Sequence, residues 1–148
     1  MRFKDVVGMD AKKFEGLSAI EKRQVLEDPQ CSVEIIRVGA KDEAVWVRVG
    51  AARNPAAPED VIRAGAEDEA VTVRWVAVRN PGAPEDVIRA GAEDVDEDVR
   101  AGAVGNPSAP VDVIRAGAED EDAGVQWAAV RHPNAPEDVI RAGVRDEV

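Results

Sequence analysis

Cysteine occurs once in the 148 residues, at Cys31, and histidine once, at His132. One thiol cannot close an internal disulfide, and one thiol with one imidazole cannot build a thiolate cluster or a zinc site. No resident metal and no cofactor are expected. Tyrosine is absent and there are only two Phe and three Trp, although 45% of the residues are hydrophobic. The apolar content is therefore mostly Ala and Val, which fill thin layers between close helices better than one large core. It is also too high for a disordered chain. No apolar run approaches the roughly 18 residues of a membrane span. Residues Met1 to Phe14 hold no continuous apolar stretch of the kind a secretory signal needs. The expectation is a cytoplasmic protein with no membrane contact. Lysine vanishes after Lys41, beyond which every basic side chain but His132 is Arg, a bias that fits a high-GC, bacterial genome.

Positive charge is scarce too. The net charge is −11, made of +1 over residues 1–27, 0 over 28–53 and −12 over 54–148. Such an acidic body repels nucleic-acid phosphates at long range while leaving room for a local basic patch. Catalytic signals are missing: Ser18, Ser32, Ser108 and Cys31 have no supporting nucleophile motif. The acidic runs Glu67-Asp68-Glu69 and Glu119-Asp120-Glu121-Asp122 lack the glycine and spacing of a calcium loop and suit helix caps and solvated faces. No catalytic residue is expected.

What is present is a repeat. Asn54-Pro55, Asn80-Pro81, Asn106-Pro107 and His132-Pro133 follow one another at 26-residue intervals, and Asp28-Pro29 continues the series backwards. Five units follow, 28–53, 54–79, 80–105, 106–131 and a truncated 132–148, behind an N-terminal helical cap at 1–27. The segment Ala57-Pro58-Glu59-Asp60-Val61-Ile62-Arg63-Ala64-Gly65-Ala66 recurs nearly unchanged from Ala83, Ala109 and Ala135. Self-similarity at a fixed period is the mark of stacked repeats.

Each unit reads as two short helices. The first starts at the second proline, as at Pro58, where a missing N–H does no harm. Glu59 and Asp60 suit the helix N-terminus, and Val61, Ile62, Gly65 and Ala66 form an inward stripe. This helix is too short to be stable alone and is expected as short α or 3₁₀. The second helix is α, starting near Asp68 as N-cap and stopped by Asn80-Pro81. Val73, Val76, Ala77 and Val78 form its inner side. Gly39, Gly65, Gly91, Gly117 and Gly143 recur inside the first helices, where glycine costs about 1 kcal/mol relative to alanine, and they point to a close helix crossing. The third unit, with Asp96-Glu97-Asp98, Gly102 and Gly105, has the weakest second helix. Ser18-Ala19-Ile20-Glu21 is a capping box opening a helix that ends before Asp28-Pro29. Neither helix of a unit can cover its stripe alone, but stacked units can.

The pattern Asn-Pro-x-Ala-Pro-x-x-Val-Ile-Arg-x-x-Ala-x-Asp, followed by Val-Arg-x-x-Val-Ala-like residues and clearest in 54–79, resembles the leucine-rich repeat variant family. The resemblance covers about 28–148 and implies an α-solenoid alternating an α-helix with a 3₁₀-helix, similar in plan to HEAT repeats. Two features depart from the family: its units are typically a little shorter, and it places Leu where Ile62 and its equivalents stand. Some relatives carry a cysteine-rich iron–sulfur segment, which Cys31 alone does not supply. The expected fold is an all-α, right-handed superhelical solenoid.

Three sets of side chains recur. Arg37, Arg63, Arg89, Arg115 and Arg141 form one column, open to acidic ligands or phosphates but with Asp60 and Glu67 on the same helix face as Arg63 to neutralise it. Arg48, Arg74 and Arg100, with Gln126 in the fourth unit, each follow an aspartate by six residues and resemble the Asp/Arg ladder of HEAT repeats. The third set is the outer face of the second helices: Trp46, Val49 and Arg53; Thr72, Trp75 and Arg79; Asp98, Ala101 and Gly105; Gly124, Trp127 and Arg131. Trp and Arg are the residues most enriched at binding hot spots. Trp46, Trp75, Trp127, Arg53, Arg79 and Arg131 are the candidate partner-binding residues; the alternative is that each indole folds over a small neighbour. His132, standing for Asn, reads as a loop or cap substitution. The expected function is a non-catalytic scaffold for a protein partner. Nucleic-acid backbone binding along the arginine columns, and self-association through the last unit, are the alternatives.

Overall fold

The computed structural model describes residues 6–146, with side chains described through Gly143. Among the described residues it is all-helical, with no strand. A first pair of helices, α1 (Ala11–Glu15) and α2 (Ala19–Glu27), precedes α3 (Val33–Gly39) and α4 (Val45–Arg53). Then come α5 (Glu59–Ala66), α6 (Val71–Arg79), α7 (Glu85–Gly91), α8 (Glu97–Val104), α9 (Val111–Ala118), α10 (Ala123–Val130) and α11 (Glu137–Asp146). No helix exceeds ten residues, so none would hold its shape in isolation.

Local chemistry explains the boundaries, and it moves two of them from their expected places. Pro58, Pro84 and Pro110 are N-caps rather than first helical residues. Pro58 has φ −72° and ψ 161°, and its carbonyl accepts from Val61 and Ile62 N–H. The first helices are α, with no 3₁₀ turn among the described residues. Asp68 does not cap the second helix. Ala70 does, and the Asp68 carboxylate instead accepts from the Ala70 N–H at 2.9 Å. In the next two units Asp96 and Asp122 replace that alanine and do cap, Asp96 accepting from Asp98 and Val99 N–H. This cap is why α8 forms from the acidic, glycine-containing stretch that looked weakest. The Ser18–Glu21 capping box is present as expected, with both reciprocal bonds made.

The second helices α2, α4, α6, α8 and α10 pack side by side in chain order. Each of α3, α5, α7 and α9 lies against its own second helix and the preceding one. Ile36, Ile62, Ile88 and Ile114 from the first helices are fully buried, as are Ala51, Ala77, Ala103 and Ala129 from the second. Burying each isoleucine contributes about 2–3 kcal/mol. The recurrent glycines sit at the crossings. A Cβ on Gly91 would lie 2.6 Å from Val78 Cγ1, and one on Gly117 would lie 2.7 Å from Val104 Cγ1.

A buried polar ladder ties the units. Asn80 Nδ2 donates to the Ala52 carbonyl at 2.8 Å and the Asn54 carbonyl at 3.1 Å, while its Oδ1 accepts from Gly82 N–H at 2.8 Å. Asn54 and Asn106 repeat the arrangement. His132 imitates it: Nε2 faces the Asn106 carbonyl at 2.7 Å and Nδ1 accepts from Asn134 N–H at 2.9 Å, so the proton of the neutral ring sits on Nε2. His132 is thus a ladder member at 5% exposure, more than a loop substitution. Helix α2 lies 26 residues before α4 and matches it in length. Its Lys22 bonds Asp42 at 2.7 Å, in the place where Arg48 bonds Asp68.

Candidate partner-binding face

The repeated helices carry three kinds of arginine. The middle positions, Arg48, Arg74 and Arg100, are locked. Arg48 donates from Nε and Nη2 to the two Asp68 oxygens at 2.8 and 3.1 Å, and from Nη1 to the carbonyls of Asp42 and Glu43. Arg74 and Arg100 do the same one and two units on, to Asp94 and Asp120. The carboxylate belongs to the following unit, so each pair bridges neighbours. Burial opposes ionisation of Asp68, but hydrogen bonds from Arg48 and the Ala70 N–H, with the charges of Arg48 and Arg74, outweigh it and hold the carboxyl below its usual range. Asp42 and Asp120 are lowered against the same opposition.

The first-helix column is also neutralised, though by a different partner than expected. Arg37 pairs with Asp60 at 3.0 Å, Arg63 with Asp86 at 2.9 Å, Arg89 with Asp112 and Arg115 with Asp138. The aspartate is the next unit's, presented sideways by the stacking, not the one three residues earlier on the same helix. Glu59 and Glu85 reach Arg63 and Arg89 along the helix. These pairs are about half exposed, where solvent screening leaves little net stabilisation.

Arg53, Arg79 and Arg131 differ. All three are exposed, and among the described residues no carboxylate forms an ion pair with any of them. Arg53 and Arg79 end α4 and α6, and Arg131 follows α10 as its C-cap. Two of them lie over indoles, and Arg53 lines a hollow together with Trp75. Arg79 Cζ stands 4.5 Å from the Trp75 ring centre and Arg131 Cζ 5.0 Å from that of Trp127. Arg23, absent from the sequence-derived set, lies 5.7 Å from the Trp46 ring. It comes from α2, and placing that helix in the repeat register would have exposed the pairing.

The tryptophans divide between the two alternatives. Trp46 is 57% and Trp127 51% exposed. Trp75 is half-buried over a small neighbour: a Cβ on Gly102 would come within 3.2 Å of the indole Cδ1. Val49, assigned by periodicity to the outer face, is buried at 5% and shares an apolar cluster with Trp75. A helix flanked by a neighbour on each side buries a wider arc than a single stripe.

Shallow hollows run along this face. One of about 400 Å³ is lined by Leu26, Glu27, Gly50, Arg53, Asn54 and Pro55. The next, about 310 Å³, shares Arg53 and adds Trp75 and Arg79. A third, about 220 Å³, shares Trp75 and Arg79 and reaches Gly102 and Gly105. Arg53, Trp75 and Arg79 are therefore brought together, whereas Trp127 and Arg131 line none of these three.

Three of the four nucleophile candidates serve as caps or are buried, while Ser108 is exposed in the turn after Asn106. Ser18 and Ser32 are N-caps. Cys31 is buried, and burial together with the charge of Asp28 pushes its thiol up to about 11, which leaves it protonated at neutral pH. Among the described residues no group of three or more His, Cys, Asp or Glu side chains is placed to hold a metal ion. None of the described helices is long and apolar enough to cross a membrane. Set against family models, curated proteins and solved structures, the chain matches none of them.

Proposed function

We propose that this protein is a right-handed superhelical α-solenoid of 26-residue units, akin to the leucine-rich repeat variant family, that serves as a non-catalytic scaffold. It binds a protein partner through the outer face of its second helices, with Trp46, Trp75, Trp127, Arg53, Arg79 and Arg131 as anchors. One observation carries the reading: among the residues whose side chains are described, the other arginines are paired with carboxylates, while Arg79 and Arg131 lie over Trp75 and Trp127, and Arg53 lines a hollow with Trp75, without one. A bound partner would complete what the chain leaves open, and rigid indoles supply contact area at low entropic cost.

The test uses Trp46→Ala with Trp127→Ala, because both rings stand mainly in solvent and their loss should leave the fold intact. Purified protein serves as bait in extracts of the native cell, with cross-linking and mass spectrometry as readout. The expected result is a partner captured by the wild type and lost by the double variant at unchanged helical circular dichroism. Equal capture by both proteins would move the binding surface elsewhere.

Self-association through the last unit is the second reading. Ile140 is 42% exposed, whereas its counterparts Ile36, Ile62, Ile88 and Ile114 are covered. Light scattering on Ile140→Glu checks it: a concentration-dependent mass that collapses in the variant supports it, and a constant monomer mass in both proteins ends it.

A further inference from the structure

We propose that the occupant of this face is an acidic segment in polyproline II conformation, carrying a carboxylate at about every third residue. The inference rests on the binding reading above and adds the partner's chemistry. It starts from the continuity of the three hollows, which share Arg53 and then Trp75 with Arg79. The hollows form one row along the C-terminal ends of α2, α4, α6 and α8, each sharing side chains with the next. Two cations without carboxylate partners among the described residues, Arg53 and Arg79, stand at its internal boundaries.

Spacing selects the conformation. Arg53 and Arg79 hold the same position on neighbouring helices, so they are separated by about one interhelix distance, roughly 8–10 Å. A polyproline II chain rises about 3.1 Å per residue and returns to the same face every third residue, a repeat of about 9.3 Å. An extended β-strand alternates faces at each residue, so its third residue points away. Of these two extended geometries, the first places successive carboxylates over successive arginines. Guanidinium groups grip carboxylates through paired N–H donors, and an aromatic wall such as Trp75 is what proline-rich ligands dock against. Gly105 holds the arginine position in the third unit and adds no charge there.

Charge also decides against a polynucleotide on this face. Glu27 lines the first hollow and Asp98 the margin beside Val71, Thr72 and Trp75. A ligand with a charge on every residue would meet those carboxylates as well as the −12 of residues 54–148. A ligand charged at one position in three meets the same field with about a third of the charge and can set its carboxylates over the arginines, away from Glu27 and Asp98.

The three tryptophans are the chain's full set, so intrinsic fluorescence reports on this face directly. Four probes of about nine residues are titrated into the full chain: a Glu-Pro-Pro repeat, the matching Gln-Pro-Pro repeat, a peptide of the first composition with its glutamates adjacent, and oligo-dT. The Glu-Pro-Pro repeat should bind about tenfold tighter than either peptide control and weaken with salt. Arg53→Gln with Arg79→Gln, both at exposed positions, should remove that advantage while leaving the thermal unfolding curve in place. Equal binding of the Gln and Glu repeats would overturn carboxylate recognition. Equal binding of the adjacent-glutamate peptide would overturn the spacing. Tighter binding of oligo-dT would replace the peptide by a polynucleotide. No quenching by any probe would overturn the proposed partner chemistry, whereas capture by Trp46 and Trp127 is scored separately and would still stand.

Discussion

Arg74 and Arg79 lie five residues apart on α6 and live in different worlds. Arg74 spends every side of its guanidinium on Asp94 and the carbonyls of Asp68 and Glu69. Arg79 rests on an indole and meets no carboxylate among the described residues. The first belongs to a region built to hold neighbouring units in register, together with the Asn54–Asn80–Asn106–His132 ladder. The second belongs to the face proposed to bind a partner, where no described carboxylate pairs with the arginine. The contrast separates side chains that recur because stacking demands them from side chains that vary between units, and it predicts opposite responses to mutation.

The largest effect is expected in the interior of the first region. Asn80→Ala orphans the buried Ala52 carbonyl and the part-buried Gly82 N–H, and takes one of two donors from the Asn54 carbonyl, which keeps the Ala57 N–H. Leaving a buried group unpaired costs about 1–3 kcal/mol, so a loss of about 2–4 kcal/mol is expected in urea unfolding. A loss below about 1 kcal/mol would show that the ladder accompanies stacking without stabilising it. Arg74→Ala comes next. Its pair with Asp94 is only about one-seventh exposed, between the surface and fully buried limits, so about 2–3 kcal/mol is expected.

Acid should act on the same region. Asp42, Asp68 and Asp120 have carboxyls lowered in the folded chain. Their contribution to stability is present above the unfolded carboxylate value of about 4. It is lost as pH falls through the lower folded values, because protons then bind and the arginines lose their partners. Melting temperature followed from pH 7 downward should hold until about pH 4 and then drop. Asp68→Asn should flatten that drop in part. An unchanged acid profile in this variant would assign acid sensitivity to other groups.

The periodicity of 26 residues made the helices, the buried isoleucines and the close glycine crossings legible in advance. Residue identity alone did not reveal which carboxylate each arginine would meet. Arg63 has Asp60 and Glu67 close along the chain, yet it pairs with Asp86 of the next unit, because lateral stacking brings that group nearer than the helix does. The asparagine ladder escaped notice because Asn before Pro already has a local explanation as a helix stop. Lys22 and Arg23 were missed because α2 lacks the Asn-Pro and Ala-Pro signals, although its side chains occupy repeat positions. At the face, the Trp and Arg positions were legible, but Val49 was misplaced and the burial of Trp75 was not resolved, since Gly102 on the neighbouring helix decides it.

The smallest effects should fall on that face, and their smallness is what distinguishes it. Trp75→Ala removes a half-buried ring from above Gly102, so about 1–2 kcal/mol of stability should go with it. Arg79→Gln removes a charge that no described carboxylate holds, and exposed substitutions of this kind stay within about 0.5 kcal/mol. The decisive measurement sets Arg74→Gln beside Arg79→Gln under identical conditions: the same chemical change, on one helix, five positions apart. If the two regions differ as their hydrogen bonds do, the first unfolds at distinctly lower urea and the second does not move. Similar losses would mean that Arg79 also holds the stack together, and the division between a structural edge and a receptive face would fail at its clearest point.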